Sequence, residues 1–410
     1  MKRSRIAAMD VGTTKVCTVI ADVDENSLPR ILGVGVAPTQ GLQNGMVVNF
    51  NEAKQSIIES VRRAEQTAGH KLESVYVGVT GRHVNSVNNR GVIAITRNDK
   101  MVHNKDLERV LEVAKSVKIP SDRELLHVIP RTYVVDGQEG VKNPVGMHGF
   151  RLDVEAHIIT AAVSSIQTLT RCIRSIGIEI DDVILEPLAS AEAVLTEDER
   201  QSGVMLADIG GGTTDIVVFK DNSVCFTAVL PVAGYQISRD ISIGLGIPYD
   251  LAEEMKRKYA DVTPIRQEVG ARSKSSNGKS EDKVIAENGH SISYTDMTEI
   301  IRIRVEELLR LIVLQTQQTD YDKFIPAGIV LTGGTSNLPG IAELGSEVTH
   351  LPVRIGVPFD MYGVADTLHD PAYATAVGLL LWKRRNESTT SWKPSNPVNR
   401  KMSGLFRFLS

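Results

Sequence analysis

The feature that most constrains this chain is a short phrase that occurs twice. Near the N-terminus, Met9-Asp10-Val11-Gly12-Thr13-Thr14-Lys15-Val16 reads as a β-run ending in Asp, a tight turn of Gly and Thr, and a second β-run. Near position 200 the same order returns as Ala207-Asp208-Ile209-Gly210-Gly211-Gly212-Thr213-Thr214-Asp215-Ile216, with more glycine in the turn. An internal repeat of this kind predicts two related halves, each opening on a β-hairpin. At 410 residues the chain has room for both, and for more than one core.

A Gly-Thr-Thr turn exposes successive backbone N–H groups and hydroxyls with no bulky side chain in the way, which can cradle phosphate oxygens. Asp10 and Asp208, at equivalent turns, are suited to hold a hydrated Mg²⁺ against those oxygens through water. A third turn, Gly333-Gly334-Thr335-Ser336, ends the short apolar run Ile329 to Leu331 and could pack against a base and ribose. One such turn by itself is only a turn. Three at strand ends, two of them sharing Asp, predict a nucleotide gripped from both sides. Competing motifs fail: Gly278-Lys279-Ser280 ends like a P-loop, but Ser273 stands where glycine is required. Gly33-Val34-Gly35 lacks the third glycine of a dinucleotide fingerprint, because Pro38 occupies it. No His-Glu-x-x-His, Cys-x-x-Cys or Gly-x-Ser-x-Gly occurs.

Hydrophobic residues at 42% and charged residues at 23% match an ordinary soluble globular protein. Scattered Cys17, Cys172 and Cys225 exclude a disulfide scaffold or zinc-ligand spacing and suit a reducing compartment. The uncharged apolar run Ala372 to Trp382 is too short to cross a bilayer, and Asp10 ends the N-terminal apolar stretch too early for a signal peptide. The expected compartment is the cytoplasm.

Net charge is −4, but Lys383, Arg384, Arg385, Lys393, Arg400, Lys401 and Arg407 face only Glu387 at the C-terminal end. The acidic body argues against a nucleic-acid partner, and the basic tail points to an anionic one. Within it, Met402, Leu405, Phe406 and Leu409 recur at i, i+3, i+4 and i+7, with Arg400, Lys401 and Arg407 mostly on other faces. A basic amphipathic helix behind a Pro-containing linker suits an anionic lipid surface, at about 1 kcal/mol per basic residue. One copy binds weakly, whereas many copies on a filament bind firmly.

The expected organisation is a first half over 1–81 and 164–195 and an inserted unit over 82–163. A second half spans 196–241 and 309–385, a small subdomain 242–308, a flexible linker 386–399 and the amphipathic helix 400–410. Asn51 is the expected N-cap of a helix that Gly69 stops. Strand patterns at Val84–Thr96, Leu125–Val135 and Val154–Thr160, with a helix over Asn104–Val117, make the insert a small α+β unit. Met297, Ile300, Ile301, Val305, Leu308, Leu309 and Ile312 follow helical spacing, and the polar stretch 266–293 is expected to be a mobile loop.

The two hairpins with the Gly333-Gly334 turn resemble the phosphate and adenosine motifs of the actin, Hsp70 and sugar-kinase ATPase superfamily. Leu185-Glu186-Pro187-Leu188-Ala189-Ser190 and Tyr373-Ala374-Thr375-Ala376-Val377-Gly378 resemble its hinge helices. In the insert, His127-Val-Ile-Pro130, Tyr133-Val-Val-Asp136-Gly137 and Asn143-Pro144-Val-Gly146-Met147-His148-Gly149-Phe-Arg151-Leu152 resemble the FtsA family of actin-like bacterial cell-division proteins. That resemblance runs nearly to Trp382.

It implies an α/β fold: a duplicated actin-like (ribonuclease-H-like) core with a nucleotide cleft between its halves, plus a small inserted α+β subdomain. It implies ATP and Mg²⁺, with Gly12, Thr13, Thr14 and Lys15 on one side of the phosphates and Gly210, Gly211, Gly212 and Thr213 on the other. Gly234 would lie near the ribose, Glu253 and Lys256 at the adenosine with Gly333, Gly334 and Thr335, and Asp10 and Asp208 at the hydrated metal. Glu186 and Asp215 are candidate water-orienting carboxylates. The insert replaces the subdomain that carries the Hsp70 catalytic lysine, so hydrolysis is expected to be slow at most. Arg304 and Glu307 would meet the C-terminal tail of FtsZ. The implied role is a filament-forming adaptor with self, FtsZ, other division proteins and anionic membrane as partners, on the cytoplasmic side of the cell membrane at the division septum. The rival roles are an actin-superfamily phosphotransferase or chaperone-type ATPase, and a pilus-assembly-type ATPase. The terminal basic segment and the Asn143-to-Leu152 motif favour the adaptor.

Overall fold

The computed structural model describes residues 4–23, 28–263, 283–285, 291–317, 325–364 and 366–388. Its first large sheet runs Glu179–Leu185, Ser74–Val79, Ser4–Val11, Lys15–Val23, Arg30–Pro38 and the short Tyr362–Gly363. Its second runs Val353–Ile355, Ile329–Thr332, Val204–Ile209, Thr214–Lys220 and Ser223–Leu230. In each half the Asp-bearing strand pairs antiparallel with the strand after the glycine turn, which pairs antiparallel with the next. On its other side the Asp-bearing strand has a parallel neighbour, which in turn has a second. The sequence repeat is therefore a repeat of topology and strand sense. Every residue of Val204–Ile209 is buried, as a central strand covered on both faces requires.

Helix Phe50–Ala68 covers the first sheet through Ala53, Ile57, Val61 and Ala64. Its N-cap is Asn49, not Asn51. The Asn49 carbonyl accepts from the Ala53 N–H at 3.1 Å, and its side chain accepts from the N–H groups of Asn51 and Glu52 at 3.2 and 3.4 Å. Gly69 ends the helix in the left-handed conformation at φ 68°.

The insert is a four-stranded sheet in the order Asn85–Ala94, Arg151–Ala162, Arg123–Val135 and Gln138–Val141. Helix Asn104–Ala114, shorter than its sequence pattern, packs through Val110 and Leu111 against Leu152, Val154 and Val135. In the second half, Met297, Ile301, Val305, Leu308, Leu309 and Ile312 face the core from helix Tyr294–Gln317. Ile300 is only half-buried. The 266–293 stretch is not simply a loop, since it contains the antiparallel pair Lys283–Ile285 and Ser291–Ser293.

Helices Glu186–Val194 and Ala374–Ser388 cross between the halves so closely that a Cβ at position 378 would stand 1.7 Å from the Ala189 carbonyl oxygen. Only glycine fits there. The second helix continues to Ser388, past the expected linker start at Asn386. Met402, Leu405, Phe406, Arg407 and Leu409 lie outside the described residues. Among the described residues no helix is long and apolar enough to cross a membrane.

Candidate functional site

The two glycine hairpins meet tip to tip. In the first, the Gly12 N–H donates to the Lys15 carbonyl at 3.0 Å, and in the second the Gly210 N–H donates to the Thr213 carbonyl at 2.9 Å. A Cβ on Gly211 would fall 2.3 Å from Thr14 Cγ2, and one on Gly212 would fall 2.6 Å from Thr13 Oγ1. Glycine is thus what lets the turns approach. Around them Asp10, Gly12, Thr13, Thr14, Lys15, Glu186, Asp208, Gly210, Gly211, Gly212, Thr213, Asp215, Gly333 and Gly334 line one cleft. Gly234, Thr335, Glu253 and Lys256 form the layer behind it. The Gly210 carbonyl accepts from the Gly234 N–H at 3.1 Å and from Thr335 Oγ1 at 2.8 Å. Lys256 Nζ donates to the Gly234 carbonyl at 3.1 Å, to Ser238 Oγ at 2.8 Å and to Glu253 at 2.7 Å.

Asp10, Glu186, Asp208 and Asp215 are all buried in or beside this cleft. Burial raises each carboxyl, and repulsion within the cluster adds to the rise at Asp10, Glu186 and Asp215. Asp10 is pushed up to about 6, with Asp208 adding and Lys15 opposing. Asp215 is pushed up to about 7, against a hydrogen bond from Thr80 Oγ1. Glu186 is raised well above the carboxylate range by burial and then by Asp10, Asp215 and Asp208. Asp208 is raised by burial, while hydroxyls of Ser190 and Thr375 at 2.6 and 3.1 Å and the charge of Lys15 oppose the rise. Lys15 Nζ donates to the Ala372 carbonyl at 2.6 Å and lies 4.9 Å from the centre of the Tyr373 ring. Crowded buried carboxylates are a donor set that a divalent cation would relieve. Among the described residues no three acidic, His or Cys side chains converge to ligate an ion directly.

Arg304 and Glu307 lie elsewhere. Arg304 donates to Glu307 at 2.7 Å within one helix and pairs with Asp240 on helix Gly234–Leu245. Sequence reasoning passed over Thr80, Ser190, Ala372 and Thr375. The available signal was a hydroxyl inside each apolar hinge segment.

A duplicated ribonuclease-H-like core with glycine hairpins facing across a cleft defines the actin-like ATPase fold. The chain is similar to a structure described as the PilM–PilN type IV pilus biogenesis complex, at TM-score 0.64 and 16% identity over 93% of this chain and 99% of that one. It is also similar to MreB5 of Spiroplasma citri bound to ADP, at TM-score 0.53 and 13% identity over 94% of this chain and 98% of that one. Identities that low speak for the fold. Two family models go further: the SHS2 domain inserted in FTSA matches residues 81–160, and cell division protein FtsA matches residues 205–378. Cell division protein FtsA of Pseudomonas aeruginosa is 41% identical over 93% of this chain and 90% of its own length. Those of Borreliella burgdorferi, at 36% over 99% of both chains, and Escherichia coli K12, at 34% over 92% and 90%, agree. The chain belongs to the FtsA family of cell division proteins.

Proposed function

We propose that this FtsA-family chain binds ATP with hydrated Mg²⁺, assembles with copies of itself, and tethers FtsZ filaments to the cytoplasmic face of the cell membrane at the division septum. The observation that carries the reading is the pair of facing hairpins ringed by buried carboxylates. In it, Gly12 to Lys15 and Gly210 to Thr213 hold the phosphates from opposite halves, and Gly234, Glu253, Lys256, Gly333, Gly334 and Thr335 hold the nucleoside. Asp10 and Asp208 hold the water shell of the cation, which when bound offsets phosphate charge. Asp215, at about 7, falls in the range useful to a general base, and Glu186 is raised as well by burial and by the neighbouring Asp10, Asp215 and Asp208. ATP serves chiefly as an assembly ligand, with hydrolysis slow.

The small subdomain over 242–308 offers Arg304 and Glu307 to the FtsZ tail. Ile243 and Ile303, 69% and 61% exposed, lie on the two helices that Arg304 and Asp240 tie together. Exposed apolar side chains and a guanidinium on the same pair of helices suit a peptide carrying both apolar and acidic groups. The remaining division of the chain follows the boundaries above, except that the second half runs to Ser388, with 400–410 as the membrane segment and other division proteins as further partners.

The test is sedimentation with anionic vesicles, with and without Mg-ATP, of the full chain and of one ending at Pro397. Only the full chain should co-pellet, and more of it with ATP. If both stay in solution while ATP is still bound, the terminal segment is not an anchor and the membrane role falls.

A further inference from the structure

The hinge carries a polar contact that the nucleotide reading leaves unused. Ser190 is fully buried on connector helix Glu186–Val194, and Thr375 is 6% exposed in the first turn of connector helix Ala374–Ser388. Both hydroxyls reach the same oxygen, Asp208 Oδ2, at 2.6 and 3.1 Å, and they stand 2.9 Å from each other. Two hydroxyl protons serve three contacts, so Ser190, the nearer, is committed to the carboxylate. Oδ1 is turned the other way: a Cβ on Gly333 would stand 2.4 Å from it. Asp208 is thereby held with one oxygen bolted to both connectors and the other toward the glycine turn of the cleft.

We infer that Ser190 and Thr375 are positioning residues that hold Asp208 for a hydrated divalent cation and tie cation occupancy to the crossing of the two connector helices. This rests on the cation reading of Asp208 above. Hydrogen bonds from a hydroxyl to an ionised acceptor are short and strong, and losing them costs the acceptor both its orientation and part of its charge stabilisation. The crossing leaves no slack to compensate, because Gly378 and Ala189 are already in contact distance.

The experiment measures ATP affinity by calorimetry on the full chain across a Mg²⁺ titration, for the parent, Ser190→Ala, Thr375→Val, and the conservative Thr375→Ser. Thermal unfolding checks that each variant folds. Mg²⁺ should tighten ATP in the parent. Ser190→Ala should need on the order of tenfold more Mg²⁺ for the same gain, Thr375→Val less than that, and the hydroxyl-retaining Thr375→Ser should follow the parent. If Ser190→Ala does not fold, Thr375→Val against Thr375→Ser decides. Parent-like Mg²⁺ dependence in the hydroxyl-free variants overturns the positioning role and leaves the cation reading standing. A parent indifferent to Mg²⁺ removes both.

Discussion

At the scale of single residues the cleft is an electrostatic liability that its own side chains only partly relieve. Asp10 and Asp215 hold protons more tightly folded than unfolded, at about 6 and about 7 against the usual 3.8. The stabilisation from those extra protons is complete below about pH 4 and disappears as pH rises through 6 and 7. Without a divalent cation, the melting temperature should therefore fall between pH 5 and pH 8. Asp215→Asn keeps an acceptor for Thr80 Oγ1 but no charge. It should flatten that fall and raise the melting temperature at pH 8, by about 1 °C for each kcal/mol regained in a chain of 410 residues. Calorimetry at several pH values checks this, and a variant with the parent's pH slope would mean that Asp215 is not the group repelled. Asp10, Asp208 and Asp215 were visible in sequence because each sits inside a local pattern of Asp, Gly and Thr. Thr80, Ser190 and Thr375 were not, because a hydroxyl gains its role only from the carboxylate the fold brings to it, across 135 residues for Thr80 and Asp215.

At the scale of elements, legibility followed the range of the deciding interaction. The hairpins, the Gly69 stop and the buried stripe of Phe50–Ala68 depend on neighbours in sequence and were readable. From sequence the helix start falls two residues late, at Asn51, because Asn49 is the same residue type and the same stripe is buried either way. The structure makes the choice through the Ala53 to Asn49 bond, which yields a sharp expectation. Asn49→Ala should cost about 1 kcal/mol in urea unfolding, and Asn51→Ala should fall within about 0.5 kcal/mol of the parent. The reverse order would place the cap at Asn51 after all. Strands Gln138–Val141 and Tyr362–Gly363 escaped the sequence for a different reason. Each is short, and Tyr362–Gly363 exists only because it pairs with Arg30 and Ile31 at the far end of the chain. Gly33 and Gly35 look like a fragment of a nucleotide motif, yet their Cβ positions would lie 2.4 and 1.9 Å from carbonyl oxygens of Ala64 and Ser60. They let helix Phe50–Ala68 lie on the strand.

At the scale of the whole molecule the insert is covalently part of the first half but is fastened to the second. His157, 1% exposed in the insert, holds Asn88 Oδ1 at 2.7 Å and Thr227 Oγ1 of the second half at 2.9 Å. Asn88 Nδ2 donates to the Cys225 carbonyl at 3.0 Å, and Ser86 Oγ donates to the Thr227 carbonyl at 2.9 Å. On the other side His127 Nε2 accepts from the N–H of Leu185, the residue before the first connector helix, and its ring lies 5.6 Å from Trp382 of the second. Any change in the angle between the halves must therefore pass through the insert. These fastenings also respond to pH with the opposite sign to the cleft. Burial, then Arg131 and His127, press His157 down to about 3, and burial presses His127 to about 4. Arg131 is itself paired with Glu155 at 2.6 Å. As pH drops below the ordinary 6.5, the unfolded chain takes protons that the folded histidines refuse, so the stability they contribute is progressively lost toward pH 3 to 4. Hydrogen exchange, corrected for intrinsic rate, should show strands Asn85–Ala94 and Ser223–Leu230 losing protection between pH 7 and pH 5. Over the same interval the hairpins that carry Asp10 and Asp215 should gain it, because those two carboxyls recover protons. Parallel changes at both places would mean that the insert and the cleft open as one unit, and that the seam at His157 does not set the stability of the contact between insert and second half.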